Sequence, residues 1–154
     1  MRLQTYPGPK ALLFLLVTLA FSCQTDRNGR SNRKADRGSQ AISEQIITAR
    51  TMGLAFLEEN KLEEAEAQFL ELIELAPEEA IGYANLGLVY LRMGRYDDAE
   101  SNLLEALDKT PLDADIRFNL ASVYNYKNQD EDFLRELERA ISDQPDHAQS
   151  IYRL

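Results

Sequence analysis

Residues 80–113, AIGYANLGLVYLRMGRYDDAESNLLEALDKTPLD, decide the fold. The proline near their end, Pro111, lies 34 residues after Pro77 and 34 before Pro145. Other rows keep that step. Small residues recur at Gly53, Gly87 and Ala121, aromatic ones at Phe56, Tyr90 and Tyr124, and apolar ones at Met52, Leu86 and Leu120. Later in each copy come Phe69, Leu103 and Leu137, then Leu72, Ala106 and Ala140; Ala65 and Ala99 form a row that Phe133 breaks. A fixed period of this length marks stacked units that bury their apolar faces against one another.

The spacing inside the quoted stretch predicts two amphipathic helices, over roughly residues 79–93 and 96–109. Gly94 ends the first because glycine enters the left-handed conformation without a Cβ clash. Pro111 ends the second because it lacks an N–H and clashes with the preceding turn. Gly87 and Ala99 are small where two such helices would cross most closely. Tyr83, Leu86, Tyr90, Leu103 and Ala106 supply the expected buried stripe.

At these residues the chain resembles the tetratricopeptide repeat family, whose pattern runs aromatic, Leu-Gly, Tyr, Ala, Phe and Pro. Tyr83, Leu86-Gly87, Tyr90, Ala99, Leu103, Ala106 and Pro111 carry the resemblance. It implies an all-α fold: an α-solenoid of three helix pairs, at 46–79, 80–113 and 114–147, with a short C-terminal capping helix at 148–154. Phe133 stands where a small residue is usual, so the third pair is expected to splay or repack. Ile151, Tyr152 and Leu154 are expected to cover the exposed end, or to pair there with a second copy.

The resemblance further implies a concave groove faced by the first helix of each pair. Carried onto this sequence, its lining is Ile47, Arg50, Leu54 and Leu57, then Ile81, Ala84, Asn85, Leu88, Leu91 and Arg92, then Asp115, Phe118, Asn119, Ser122, Asn125 and Tyr126. The start of this surface is apolar at residues that the core pattern does not require, and exposed apolar patches mark interaction sites. Asn85 and Asn119 resemble the family's asparagines that hydrogen-bond a bound extended backbone. The chaperone-binding members hold a terminal carboxylate in a clamp of Lys or Arg and Asn. Arg50 and Asn85 match two of its places, but Leu54, Asp115 and Asn119 replace the others, so that clamp is not expected. The expected partner is another protein held in the groove; self-association into a homodimer is the alternative.

The N-terminus reads as an address. Arg2 and Lys10 precede an apolar run, Ala11 to Phe21, too short to span a bilayer and of the length of an export signal's apolar region. Ala20-Phe21-Ser22 then leads into Cys23, the only cysteine. This resembles the lipobox of bacterial lipoproteins, and implies a signal peptide at 1–22 and acylation of Cys23. Two other readings fit the same residues: cleavage without acylation, giving a soluble periplasmic or secreted protein, and an uncleaved anchor. Two or three acyl chains hold stably where one does not. Gln24 stands where enterobacterial lipoproteins retained at the inner membrane carry Asp, which favours the outer membrane.

Residues 23–45 read as the acylated cysteine and a disordered basic tether, with Arg27, Arg30, Arg33, Lys34 and Arg37 among small polar residues. As a flexible coil its 22 residues after the cysteine would average about 25 Å end to end. From Ile46 onward there are 10 basic and 23 acidic residues, so the tether and the repeats are opposite in charge.

Composition excludes several classes. The formal net charge of -9 argues against a nucleic-acid surface. A single cysteine forms no internal disulfide, and a single histidine, His147, leaves no ligand set for zinc. The Glu58-Glu59, Glu63-Glu64 and Glu78-Glu79 pairs fall at expected helix ends and outer faces, and no glycine-rich phosphate loop is present. No enzyme activity, cofactor or metal is expected.

Overall fold

The computed structural model describes residues 38–146. Six helices account for them: α1 over residues 38–58, α2 Leu62–Leu75, α3 Ala80–Met93, α4 Tyr96–Lys109, α5 Ala114–Tyr126 and α6 Asp130–Asp143. The chain divides into two compact units, Met1–Ser43 and Glu44–Leu154. Of the first, residues 38–43 form the opening turns of α1, where Ser43 Oγ donates to Ser39 O over 3.0 Å. The second holds the core. The signal segment, Cys23, His147 and the expected cap at 148–154 lie outside the described residues.

The turn between the two helices of each pair is built the same way three times. Asn60 (φ 57°), Gly94 (φ 75°) and Asn128 (φ 57°), 34 residues apart, all adopt the left-handed conformation. The following amide reaches back across the turn each time. Lys61 N–H donates to Phe56 O (2.8 Å), Arg95 N–H to Tyr90 O (2.9 Å) and Gln129 N–H to Tyr124 O (2.9 Å). These bonds satisfy carbonyls that a helix C-terminus otherwise leaves open. The second helices also end alike, with Ala76, Thr110 and Gln144 N–H each donating over 2.9 Å to the carbonyl four residues back.

Close helix crossings explain the small-residue row. A Cβ on Gly87 would stand 2.7 Å from Leu103 Cγ and 3.3 Å from the Ala99 carbonyl; one on Gly53 would stand 2.7 Å from the Phe69 ring. Ala65, Phe69, Leu72, Ala99, Leu103, Ala106, Leu120, Ala121, Leu137 and Ala140 are fully buried at these crossings. Adjacent pairs join by their own crossing: a Cβ on Gly82 would meet Ile73 Cγ1 at 2.8 Å, which fixes α3 closely on α2.

A polar clamp also repeats between neighbouring pairs. Tyr90 Oη donates to Glu66 Oε1 (2.9 Å), and one period later Tyr124 Oη donates to Glu100 Oε1 (3.3 Å). Burial and the adjacent Glu100 carboxylate push the Tyr124 phenol up to about 12. Burial and Glu66 raise Tyr90 as well. Arg95 reaches the same Glu66 oxygen (3.0 Å) while lying over the Tyr90 ring; Lys127 bonds Glu100 (2.6 Å) and Asp97 (2.8 Å), and those bonds raise its pKa.

Two expectations need correction. Residues 38–45, read as disordered tether, are helical. Once the apolar stripe from Ile46 nucleates α1, extending it backward over Gln40-Ala41 and Glu44-Gln45 adds one hydrogen bond per ordered residue, which good helix formers sustain. Tyr83 is only half-buried, and Lys109 Nζ lies 4.9 Å from its ring centre. Of the two outcomes expected for the third pair, splaying or repacking, it takes the second: Leu120, Ala121, Leu137 and Ala140 are buried, and half-buried Phe133 packs at the edge of the core.

Candidate functional site

The first helices of the pairs, α1, α3 and α5, line one face, and that face holds two cavities. The lower one, of about 570 Å³, is lined by Arg50 and Leu54 of α1, by Ala80, Ile81, Ala84 and Asn85 of α3, by Asp115, Ile116 and Asn119 of α5, and by Thr110 and Asp113 of the intervening turn. The upper one, of about 430 Å³, is lined by Leu91, Arg92, Met93, Gly94, Tyr96, Ser122 and Tyr126. Side chains one helical turn apart fall on one face, which is why Arg50 with Leu54, Ile81 with Asn85, and Asp115 with Asn119 meet in the lower cavity.

Its apolar floor is accessible: Leu54 is 38% and Ile81 36% exposed. Asn85 Nδ2 donates to Ile81 O over 2.9 Å, which holds its amide beside that floor. The Arg50 guanidinium pairs through Nη2 with Glu79 at the start of α3, while its Nε–H is shielded from water with no acceptor. A buried donor left open costs free energy. Asp113 caps α5, accepting from Ile116 N–H over 3.1 Å.

The upper cavity is a different surface. Tyr96 and Tyr126 stack with ring centres 5.4 Å apart and planes at 5°, and Tyr126 remains 59% exposed. Arg92 Nη1 donates to Leu57 O over 2.8 Å, so this cation caps the C-terminal turn of α1.

The groove expected from sequence is therefore partly assembled. Arg50, Leu54, Ile81, Asn85 and Asn119, with Ala84 and Asp115, come together below; Leu91, Arg92, Ser122 and Tyr126 come together above. Leu57 does not belong: it is 5% exposed and part of the core, because the last turn of α1 rotates it inward beneath the left-handed turn at Asn60. Leu88 lines neither cavity and is half-buried against the core, as is Leu91, since the central helix α3 has neighbours on both sides. Phe118 is half-buried, and Ile47 stands exposed farther toward the start of α1; neither lines either of these two cavities. Sequence reasoning missed Thr110, Asp113, Met93 and Tyr96. The first two follow from Pro111, whose turn must pass the groove's lower end, and Tyr96 from its aromatic ring one position after Arg95.

Among the described residues no group of three or more His, Cys, Asp or Glu is placed to hold a metal ion. Among them, too, no helix is long and apolar enough to cross a membrane.

Comparison with known proteins agrees with this architecture. The second such domain of human RPAP3, solved with the HSP70 peptide SGPTIEEVD, superimposes with a TM-score of 0.69 at 19% identity, over 73% of this chain and 94% of that one. The Arabidopsis OM64 TPR domain matches with a TM-score of 0.68 at 14% identity, over 72% and 92%. A mutant Thermobaculum terrenum O-GlcNAc transferase matches with a TM-score of 0.67 at 21% identity, over 71% of this chain and only 21% of that one. No curated protein matches by sequence. Two family models do: one described as TPR repeat over residues 53–94 and one described as tetratricopeptide repeat over residues 85–148. Together they span most of the helical stack, and the chain belongs to the tetratricopeptide repeat family.

Proposed function

We propose that this protein is a membrane-tethered adaptor that grips an extended segment of another protein between α1, α3 and α5, in assembly or scaffolding of a bacterial cell envelope. One observation carries the reading: an accessible apolar floor, Leu54 and Ile81, lies beside two amide side chains able to meet a peptide backbone, Asn85 and Asn119. The fold is mainly a non-enzymatic scaffold for protein interactions, and structural neighbours such as the RPAP3 domain are solved with peptides.

Acylation of Cys23 and insertion in the outer membrane would fix the adaptor in place. The resemblance of Ala20-Phe21-Ser22-Cys23 to a lipobox supports this. Tethering raises the local concentration of whatever is bound without any new contact. Two measurements test the reading. A photo-crosslinking residue at Ile81 should capture a discrete partner in intact cells, whereas one at Leu104, exposed on α4, should not; equal capture from both positions would remove the groove from the account. The intact mass of the mature protein should show a diacylglyceryl group and begin at Cys23; an unmodified N-terminus would remove the anchor.

A further inference from the structure

We infer that copies of this chain stack head to tail, with the outer face of α6 in one copy resting on the outer face of α1 in the next. The packing that joins neighbouring pairs inside the chain would then continue between molecules. The inference goes beyond the groove reading and does not rest on it.

The argument compares equivalent registers. Inside the stack each second helix offers a carboxylate to a tyrosine of the next first helix: Glu66 of α2 accepts from Tyr90 of α3, and Glu100 of α4 accepts from Tyr124 of α5. One period after Glu100 the second-helix place, on α6, is Leu134. One period before Tyr90 the first-helix place, on α1, is Phe56. The carboxylate is missing at one end of the stack and the hydroxyl at the other. Leu134 set against Phe56 buries no polar group, so the two changes suit each other. Either one set against the interior residue, Leu134 on a tyrosine or Phe56 on a glutamate, would strand a hydroxyl or a carboxylate.

The adjoining row agrees. Leu86 and Leu120 lie beneath the preceding pair and are only 2% and 1% exposed, whereas Met52 at the same register is 41% exposed; among the described residues no pair precedes α1. On α6, Leu134 is 44% exposed. A solenoid whose ends meet water carries polar residues there, yet Met52 and Leu134 are apolar on rows that the interior covers. A symmetric dimer would set like end against like end and leave the matched loss of hydroxyl and carboxylate without a reason. A head-to-tail contact joins two different faces and extends from copy to copy. At its rim Glu59 and Glu131 take the registers of Lys127 and Asp97, which pair over 2.8 Å inside the stack. The contact therefore depends on its apolar centre.

The test uses the full chain in a mild non-ionic detergent, followed by sedimentation velocity from micromolar to millimolar concentration. The mean mass should rise with concentration and pass that of a dimer. Leu134→Glu and Phe56→Tyr should each weaken association at least about tenfold while thermal melting stays cooperative. The double variant should recover most of the loss, because it rebuilds the interior tyrosine–glutamate bond across two copies. A photo-crosslinking residue at Leu134, in a mixture of ¹⁴N- and ¹⁵N-labelled chains, should join the tryptic peptide at residues 51–61 of another copy. A monomer at every concentration would overturn the inference, as would a plateau at the dimer with Leu134 joined to Leu134. Crosslinks confined to one copy would also overturn it, since the occupant would then be another segment of the same chain. Failure of the double variant to recover would overturn the register.

Discussion

The middle and last helix pairs share a backbone and differ in what closes it. In α3–α4, Gly87 lets Leu103 approach closely, and Lys109 lies over the Tyr83 ring. In α5–α6 the same registers are occupied by Ala121, Leu137, Arg117 and Asp143. The cation and its partner have changed helices: Arg117 Nε donates to Asp143 over 2.7 Å, where Lys109 faced Tyr83. Arg117 also bonds Glu136 (3.1 Å) and the Pro111 carbonyl, and Glu136, only 4% exposed, receives Arg139 (3.1 Å) as well. The repeat therefore conserves geometry, and exchanges apolar and cation–π contact for a nearly buried ionic cluster within one chain.

The sharpest way to break that comparison is to remove the carboxylate at its centre. Glu136→Ala should cost about 2 kcal/mol in denaturant unfolding, because Arg117 Nη1 and Arg139 both lose their charged acceptor, although Asp143 still pairs with Arg117. The substitution at the same register of the middle pair, Asn102→Ala, loses only the amide's bond to Asp98 O and should cost less than about 1 kcal/mol. Equal costs would mean that the ionic cluster contributes nothing particular to the last pair.

Next comes the crossing itself. Gly87→Ala should destabilise by about 2 kcal/mol, since its methyl group meets fully buried Leu103 and the Ala99 backbone. Ala121→Gly, the reverse exchange one period later, should cost about 1 kcal/mol, chiefly through lost helix propensity. A stabilised Gly87→Ala would show that the middle crossing is looser than described.

The helix starts differ too. α5 is capped by Asp113, whereas Glu79 at the same position before α3 makes no capping bond. Asp113→Ala should cost about 1 kcal/mol, seen as a lower melting temperature.

The smallest effect is one of pH. The Tyr124 phenol holds its proton more tightly in the folded chain than in the unfolded one, so its contribution is fully present below pH of about 10 and is lost as pH rises through about 12. Tyr124→Phe should flatten the alkaline fall in melting temperature. Phe56, which opens the same row, has no hydroxyl, so α1 adds nothing to that fall. An unchanged alkaline profile would show that the clamp between pairs is energetically silent.

Much of this was legible in the residues. The helix ends at Met93 and Lys109, the left-handed Gly94 and the closeness at Gly87 all follow from the period together with glycine and proline chemistry. Asn60 and Asn128 were legible too, had the Asn–Gly–Asn row been read for its shared tolerance of positive φ. The ionic closure of the last pair was not, because Arg117 and Asp143 are 26 residues apart and look like solvated charges until the fold joins them. The groove was half legible. Periodicity places a residue on a helix face, but it does not say that the final turn of α1 carries Leu57 inward or that α3 is covered on two sides.

The most direct test of the central claim is site-specific photo-crosslinking in intact cells, from Ile81 in the lower cavity and from Leu104 on the second helix of the middle pair. The account predicts a discrete crosslinked partner from Ile81 and none from Leu104. Equal capture from the two positions, or capture from Leu104 alone, would contradict it.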